Sequence, residues 1–357
     1  MKIRFLKAHN GDCIHINFTD DKGVERNIII DGGIRDTYIK AKDKKLKRVA
    51  GELYGVIKSI RDMGKKIDLL ILTHHHDDHI KGVLHWLETD RNALELISEV
   101  WFNTGAAIAS WLGKEENDAL DFSINMPPET TETSIPYAIL FRDFVKEKLY
   151  PKIIIEGTKI EKYGVIFYIL SPDKTQLEKL LKEWKTIEPD LGTAGRSNDY
   201  EESLASHISH DEFEEDASPA NGSSIAFRME WRNKNFLFLA DAHPNIIYRN
   251  LLNQKTIDGQ PIKYELVKLS HHGSEFNTSP AMLREIISDN FVISTNGEKH
   301  QHPHKRMLAR LIGIKPNCKL HFNYESRMSQ LFSEQDKIDF PAFQAIPITT
   351  AFIYDDN

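Results

Sequence analysis

A layered α/β fold is predicted for this chain of 357 residues, and three observations predict it. Short apolar, β-branched runs alternate with helical segments in two similar halves. Several of the strand candidates run directly into clusters of polar, ligand-capable residues. The composition, 40% apolar and 28% charged, allows a sizeable buried core. By length alone the chain fits two domains, but large α/β folds often exceed that size as one unit. One domain over 1–357 is therefore expected, with insertions at 104–136 and 188–220.

The opening is β-rich: strands are expected over 2–8, 13–18 and 27–30, with Asn10-Gly11-Asp12 and Asp31-Gly32-Gly33 as turns. A basic helical stretch over 44–63 leads to a strand at 68–73, and a helix starts after His79 and runs to 88. A strand at 98–103, a polar loop through 136 and a helix at 137–149 follow. Strands at 153–155 and 165–170 and a helix around 176–184 close the first half. The acidic stretch from 188 to 221, with Asp199, Glu201, Glu202, Asp211, Glu212, Glu214, Glu215 and Asp216, reads as a long surface loop, partly disordered when alone. It is either a solvated linker or an anionic cover over a cationic site. The second half opens with a hairpin, 224–231 and 235–239, turned at Arg232-Asn233-Lys234, and continues through a helix after Pro244. Strands at 264–269, 291–294 and 319–322, helices near 280–288 and 305–312, and one or two last strands within 343–354 complete it.

The net charge of -7, from 46 basic and 53 acidic residues, gives the whole chain no footprint for strong non-specific binding to nucleic acid. An anionic substrate must be drawn by local charge. Two cysteines, Cys13 and Cys318, provide neither a disulfide framework nor a zinc ribbon, and a reducing cytoplasm is the expected location. The N-terminus lacks a signal-peptide pattern and no apolar run approaches ~20 residues, so a soluble chain without a membrane span is expected.

Four clusters carry the chemistry. The run from Thr73 to His79 follows an apolar stretch and contains His-x-His-x-Asp-His at His74, His76, Asp78 and His79. A core would have to desolvate these side chains unpaired, whereas metal ions remove that cost, so the run reads as a two-metal hydrolase site. In extended backbone His74 and His76 share a side and bind one ion, while Asp78 and His79 serve its neighbour. His75 and Asp77 alternate with them and point away or toward an outer shell. Asp241, at the end of the apolar run Phe236-Leu237-Phe238-Leu239-Ala240, bridges both ions in the functional reading and caps a turn in the plain one. His243 stays outside. In Ser270-His271-His272-Gly273, one histidine completes the second ion: His271 is favoured and His272 is its competitor, because alternation puts only one on the site face. Gly273 permits a tight turn. The last cluster, His300-Gln301-His302-Pro303-His304, offers a further metal site or, more economically, substrate contact or proton donation by His302.

With these clusters in this order, the chain resembles the metallo-β-lactamase fold superfamily and, more narrowly, the soluble hydrolase domain of the competence proteins that handle DNA during uptake. The likeness rests on His74-x-His76-x-Asp78-His79 for the superfamily. For the branch it rests on Asn10-Gly11-Asp12, Asn221-x-x-Ser224, Ala240-Asp241, His271-His272-Gly273-Ser274 and His302-Pro303-His304. The resemblance implies an αββα sandwich holding two divalent ions, Zn²⁺ or Mn²⁺, in a groove at the strand ends, with Asp241 shared. The branch lacks the additional histidine that other members place before the bridging carboxylate, and His207 and His210, both in the acidic loop, are not carried over to that role. The chain departs from the branch in lacking its membrane-spanning part, so transport is not implied, and in having Ala240 where a glycine is usual.

The expected function is that of a dinuclear metal-dependent hydrolase, a phosphodiesterase or nuclease using a metal-bridging hydroxide, with Asp78 and His302 in the catalytic set. Lys268, Lys299, Lys305 and Arg306 lie near the site segments, and the basic run over 40–48 either tracks a phosphate backbone or forms a solvated helix face. Two alternatives stand beside it. One is a small-molecule ester, lactone or thioester hydrolase of the same fold. The other is an effector subunit that needs a partner protein to present its substrate.

Overall fold

The computed structural model describes residues 1–40, 49–114, 135–186, 198–257 and 259–355. The basic run over 40–48, apart from its first residue, and the stretches 115–134 and 187–197, which include parts of the insertions expected at 104–136 and 188–220, lie outside the described residues.

Two sheets stack face to face. The first contains β1 (Lys2–Phe5), β2 (Ile14–Thr19), β3 (Glu25–Ile30), β4 (Leu69–Ile71) and β5 (Val100–Trp101). The second contains β6 (Lys159–Lys162), β7 (Val165–Ser171), β8 (Ala226–Trp231), β9 (Lys234–Phe238), β10 (Tyr264–Lys268), β11 (Asn290–Ile293), β12 (Lys319–Phe322) and β13 (Gln344–Pro347). A last strand, β14 (Phe352–Ile353), returns to pair with β1, giving the orders β14-β1-β2-β3-β4-β5 and β13-β12-β11-β10-β9-β8-β7-β6. From β3 to β5 and from β9 to β13 neighbouring strands are parallel.

The continuous apolar runs are explained by burial on both faces. Ile28 and Ile30 face the opposite sheet while Ile29 faces helices, and Leu69 and Ile71 divide from Leu70 and Leu72 in the same way. In β9, Phe236 and Phe238 fill the space between the sheets and Leu237 packs on the helical side. Helices α1 (Glu52–Asp62), α2 (Asp77–Thr89), α3 (Ile135–Val145) and α4 (Lys174–Thr186) cover the first sheet. Helices α5 (Pro244–Asn253), α6 (Pro280–Glu285) and α7 (Lys305–Ile314) cover the second. The result is the expected αββα sandwich, with each large core side chain contributing ~1.5–3 kcal/mol by burial.

Three differences from expectation have physical causes. Helix α2 begins at Asp77 rather than after His79, because two aspartates in its first turn suit the positive end of the helix. The apolar triplet 153–155 is not a strand: the Asn103 side chain donates to the Ile154 carbonyl (2.8 Å) and accepts from its N–H (2.9 Å), replacing a ladder partner. In the acidic stretch, Leu204–Ser209 is helical and Asp199, Asp211 and Asp216 are bonded to buried parts of the second half. The expected hairpin is present, and Arg232 (φ 48°) and Asn233 (φ 63°) form its two-residue turn with the left-handed backbone such turns require.

Candidate metal centre

The carboxyl ends of parallel strands meet at one edge of the sandwich, and the ligand-capable side chains collect there. His74 and His76 follow β4, Asp78 and His79 occupy the first turn of α2, Asp241 follows β9, and His271 and His272 follow β10. Two groups form: His74, His76 and Asp241, and Asp12, His79, Asp241 and His272, with ligand atoms within 4.8 Å of one another in each. Asp241 belongs to both. Its Oδ2 lies 3.7 Å from His74 Nε2, 3.4 Å from His79 Nε2 and 3.7 Å from His271 Nε2. Asp78 borders the second group, its Oδ2 3.4 Å from His272 Nε2.

Of the histidine pair, His272 is the one gathered into the second group, whereas His271 flanks Asp241 and faces His302, with ring centroids 4.9 Å apart. Strand alternation does not separate them because both are left-handed, at φ 44° and 53°, which turns both rings toward the site. Ala240 has φ 47°, a left-handed backbone conformation that glycine adopts without strain. Gly273, at φ 90°, closes the turn against Pro303 and Met307.

Partners at Nδ1 select the tautomers, leaving Nε2 lone pairs for the centre. His79 Nδ1–H donates to Asp31 Oδ2 (2.8 Å), and His272 Nδ1–H donates to the Ser294 carbonyl (3.0 Å). His271 Nδ1–H donates to Asn277 Oδ1 (2.8 Å), whose amide nitrogen is committed to Asp216 and the Asp241 carbonyl. Thr73 Oγ1 donates to Asp31 and so accepts from His74 Nδ1 (3.2 Å).

Electrostatics follow from burial and proximity. Burial opposes ionisation of Asp241, but His79, His271 and His272 outweigh it and hold the carboxyl well below the usual range. Burial likewise opposes a charge on His79, yet Asp241 and Asp31 raise its pKa well above 6.5. His74 is pushed well below 6.5 by burial and by His79. Five buried atoms at the centre make no hydrogen bond: Asp12 Oδ1, His74 Nε2, His79 Nε2, Asp241 Oδ1 and His272 Nε2. Leaving such atoms uncompensated costs ~1–3 kcal/mol each. A converging set of imidazole nitrogens and carboxylate oxygens is what divalent cations bind, so the donor set fits a metal centre.

The remaining candidates are also placed. His302 is buried, and its pKa is held well below 6.5 by burial and by neighbours His304 and His271. His75 packs against Trp184, Asp77 pairs with Lys81, and His243 sits at the start of α5. Two basic residues expected near a substrate are committed elsewhere: Lys268 is buried against Asp12 (2.6 Å) and Lys305 against Asp336 (2.8 Å). Asp12, Asp31, Asn277 and Asp216 were not singled out as site residues in the sequence. The signal for Asp31 was its place directly after an apolar strand, the same context as Asp241. A pocket of about 480 Å³ lies elsewhere, lined by Tyr38, Tyr54, Arg61 and neighbours, and none of these metal-type donors reaches it.

The sequence pattern of the Metallo-beta-lactamase superfamily matches residues 20–275, from the turn after β2 through the ligand-bearing turn after β10. The chain belongs to this superfamily. No curated protein matches it. Among solved structures, this metallo-β-lactamase fold chain is similar to a Cronobacter sakazakii metallo-β-lactamase with a HARLDQ motif, at 12% identity over 87% of this chain and 90% of that one (TM-score 0.34). It is also similar to the metallo-β-lactamase fold protein YhfI from Bacillus subtilis, at 8% identity over 99% of both chains (TM-score 0.41). The superfamily consists mostly of metal-dependent hydrolases, and the described residues of this chain include an Asp/His cluster that could hold metal ions. Among the described residues, no helix is long and apolar enough to cross a membrane.

Proposed function

We propose that the protein is a dinuclear metal-dependent hydrolase acting on phosphodiesters, of the competence-protein-like kind. The observation that carries this reading is the sharing of Asp241 by two groups of donors, all buried except the half-buried His76. His74, His76 and Asp241 would hold one ion, and Asp78, His79, His272 and Asp241 the other, with His271 beside the shared carboxylate. Two divalent ions held there, Zn²⁺ or Mn²⁺, would lower the pKa of water toward neutrality and act as Lewis acids on a substrate ester.

The protein's own contribution is positioning. Asp31 and Thr73 lock His79 and His74, Ser294 locks His272, and the Asp216–Asn277 pair locks His271. His302, kept neutral at pH 7 by burial, suits hydrogen bonding to a phosphoryl oxygen better than proton delivery. His300 and His304 flank it, with ring centroids 5.9 and 4.8 Å from His302.

The commitment of Lys268 and Lys305 to internal ion pairs favours a second reading, in which the substrate is a small ester, lactone or thioester. It also favours a partner subunit that brings a polymeric substrate to the site. The test is a panel of bis(p-nitrophenyl) phosphate, single-stranded DNA, lactones and thioesters with Mn²⁺ or Zn²⁺. Phosphodiester turnover that falls by ~10²–10³-fold in Asp78→Ala is expected, as for removal of one electrostatic element of a preorganised site. Lactone or thioester turnover with no phosphodiester cleavage overturns the substrate assignment.

A further inference from the structure

We propose that Asp12 is an additional ligand of the second ion, with Lys268 as its buried counter-ion, making that position oxygen-rich and more favourable to Mn²⁺, relative to Zn²⁺, than the first. This rests on the two-ion reading above.

Asp12 lies in the turn between β1 and β2, distant in sequence from every other donor. Three contacts dock that turn on the ligand-bearing helix α2. Asp12 N–H donates to the Asp78 carbonyl (3.2 Å) and Asn10 Nδ2 donates to Asp78 Oδ2 (3.2 Å). A Cβ on Gly11 would stand 1.8 Å from the Asp78 carbonyl oxygen, so only glycine permits the approach. Asp12 is 1% exposed and its two oxygens differ in situation. Oδ2 meets Lys268 Nζ at 2.6 Å, and that ammonium also donates to the Leu269 carbonyl (2.9 Å). Oδ1 makes no hydrogen bond and belongs to a carboxylate grouped with His79, Asp241 and His272. It lies 3.5 Å from His272 Nδ1, but that proton is directed to the Ser294 carbonyl.

The plain alternative is a structural ion pair. Asp31 shows what a purely positioning carboxylate looks like here: its oxygens are taken up by Thr73 N–H, Thr73 Oγ1 and His79 Nδ1. Asp12 leaves one oxygen free beside the ligand group. The first position then has two imidazoles and the shared Asp241, while the second has Asp12, Asp78 and Asp241 with two imidazoles. Carboxylate oxygens suit harder ions, so the two positions differ in ion preference. Lys268 offsets the added negative charge.

The test uses the full chain, freed of metal by a chelator and titrated with Mn²⁺ and Zn²⁺, reading free Mn²⁺ by electron paramagnetic resonance and bound metal by mass spectrometry. Wild type is expected to bind two ions, with Mn²⁺-to-Zn²⁺ affinity ratios differing at least ~10-fold between positions. Asp12→Asn alone strands a buried ammonium, so the informative variant is Asp12→Asn with Lys268→Met, checked for folding by circular dichroism. It should lose at least ~10-fold in Mn²⁺ affinity at one position, with a smaller loss for Zn²⁺ there and none at the other. Equal ratios in wild type, unchanged affinities in the folded double variant, or equal losses for both ions overturn the role of Asp12. Fewer than two ions bound by wild type overturns the two-ion reading itself.

Discussion

Asp31 shows how much a single carboxylate outside the ligand groups can organise. It stands at φ 57°, receives two hydrogen bonds from Thr73, and holds His79 by Nδ1. Replacing it by asparagine keeps the shape but exchanges a charge-assisted bond for a neutral one. Asp31→Asn is expected to weaken metal binding ~10–100-fold with the fold retained, measured by competition with a coloured chelator. The local period of two in His74-x-His76 was legible in the sequence because both rings follow one extended segment. Asp12 was not, because its relation to His79 exists only once the β1–β2 turn has docked on α2. The choice between His271 and His272 was equally hidden, since it depends on two consecutive left-handed residues that no hydrophobic pattern records.

The segment at 198–218 belongs to the scale of elements. Asp199 accepts from the N–H groups of Lys305 (2.9 Å) and Arg306 (2.7 Å) and so caps α7 from outside its own chain neighbourhood. Tyr200 donates its hydroxyl to the carbonyls of Gln301 and Pro303, while Arg327 Nε donates to the His302 carbonyl (2.8 Å) and stacks over the Tyr200 ring. The His302 turn is thus held from three sides. Asp199→Ala should lower stability by ~1 kcal/mol, the usual worth of a cap, measured by urea denaturation. Apolar periodicity made the strands and long helices readable but left this segment as a surface loop. Its attachments are carboxylates bonded to buried groups, and polar residues without a period carry no sign of such partners.

At the scale of the whole molecule, the layered architecture was readable because runs such as Ile28-Ile29-Ile30 bury both faces. The pH response belongs at this scale too, since it couples the two halves. In the metal-free protein the pKa of His272 rises to about 9: burial opposes the charge, but Asp12 and Asp241 outweigh it. A raised folded-state pKa stabilises fully below the ordinary 6.5 and loses that effect as pH climbs through about 9. His74 and His302 are shifted the other way, so their contribution disappears on acidification below 6.5. Metal-free protein should therefore melt highest near neutrality and lower on either side, whereas saturating Zn²⁺ or Mn²⁺ should abolish the alkaline fall because ligating imidazoles are already neutral. Thermal scans at roughly pH 5 to 9, with and without chelator, check this. The meeting of donors from two sheets also orders events in time. A chain still emerging from the ribosome has His74 to His79 long before Asp241 and His272, so a nascent first half lacks the shared carboxylate, and the complete centre arises only when the late strands close onto the early ones.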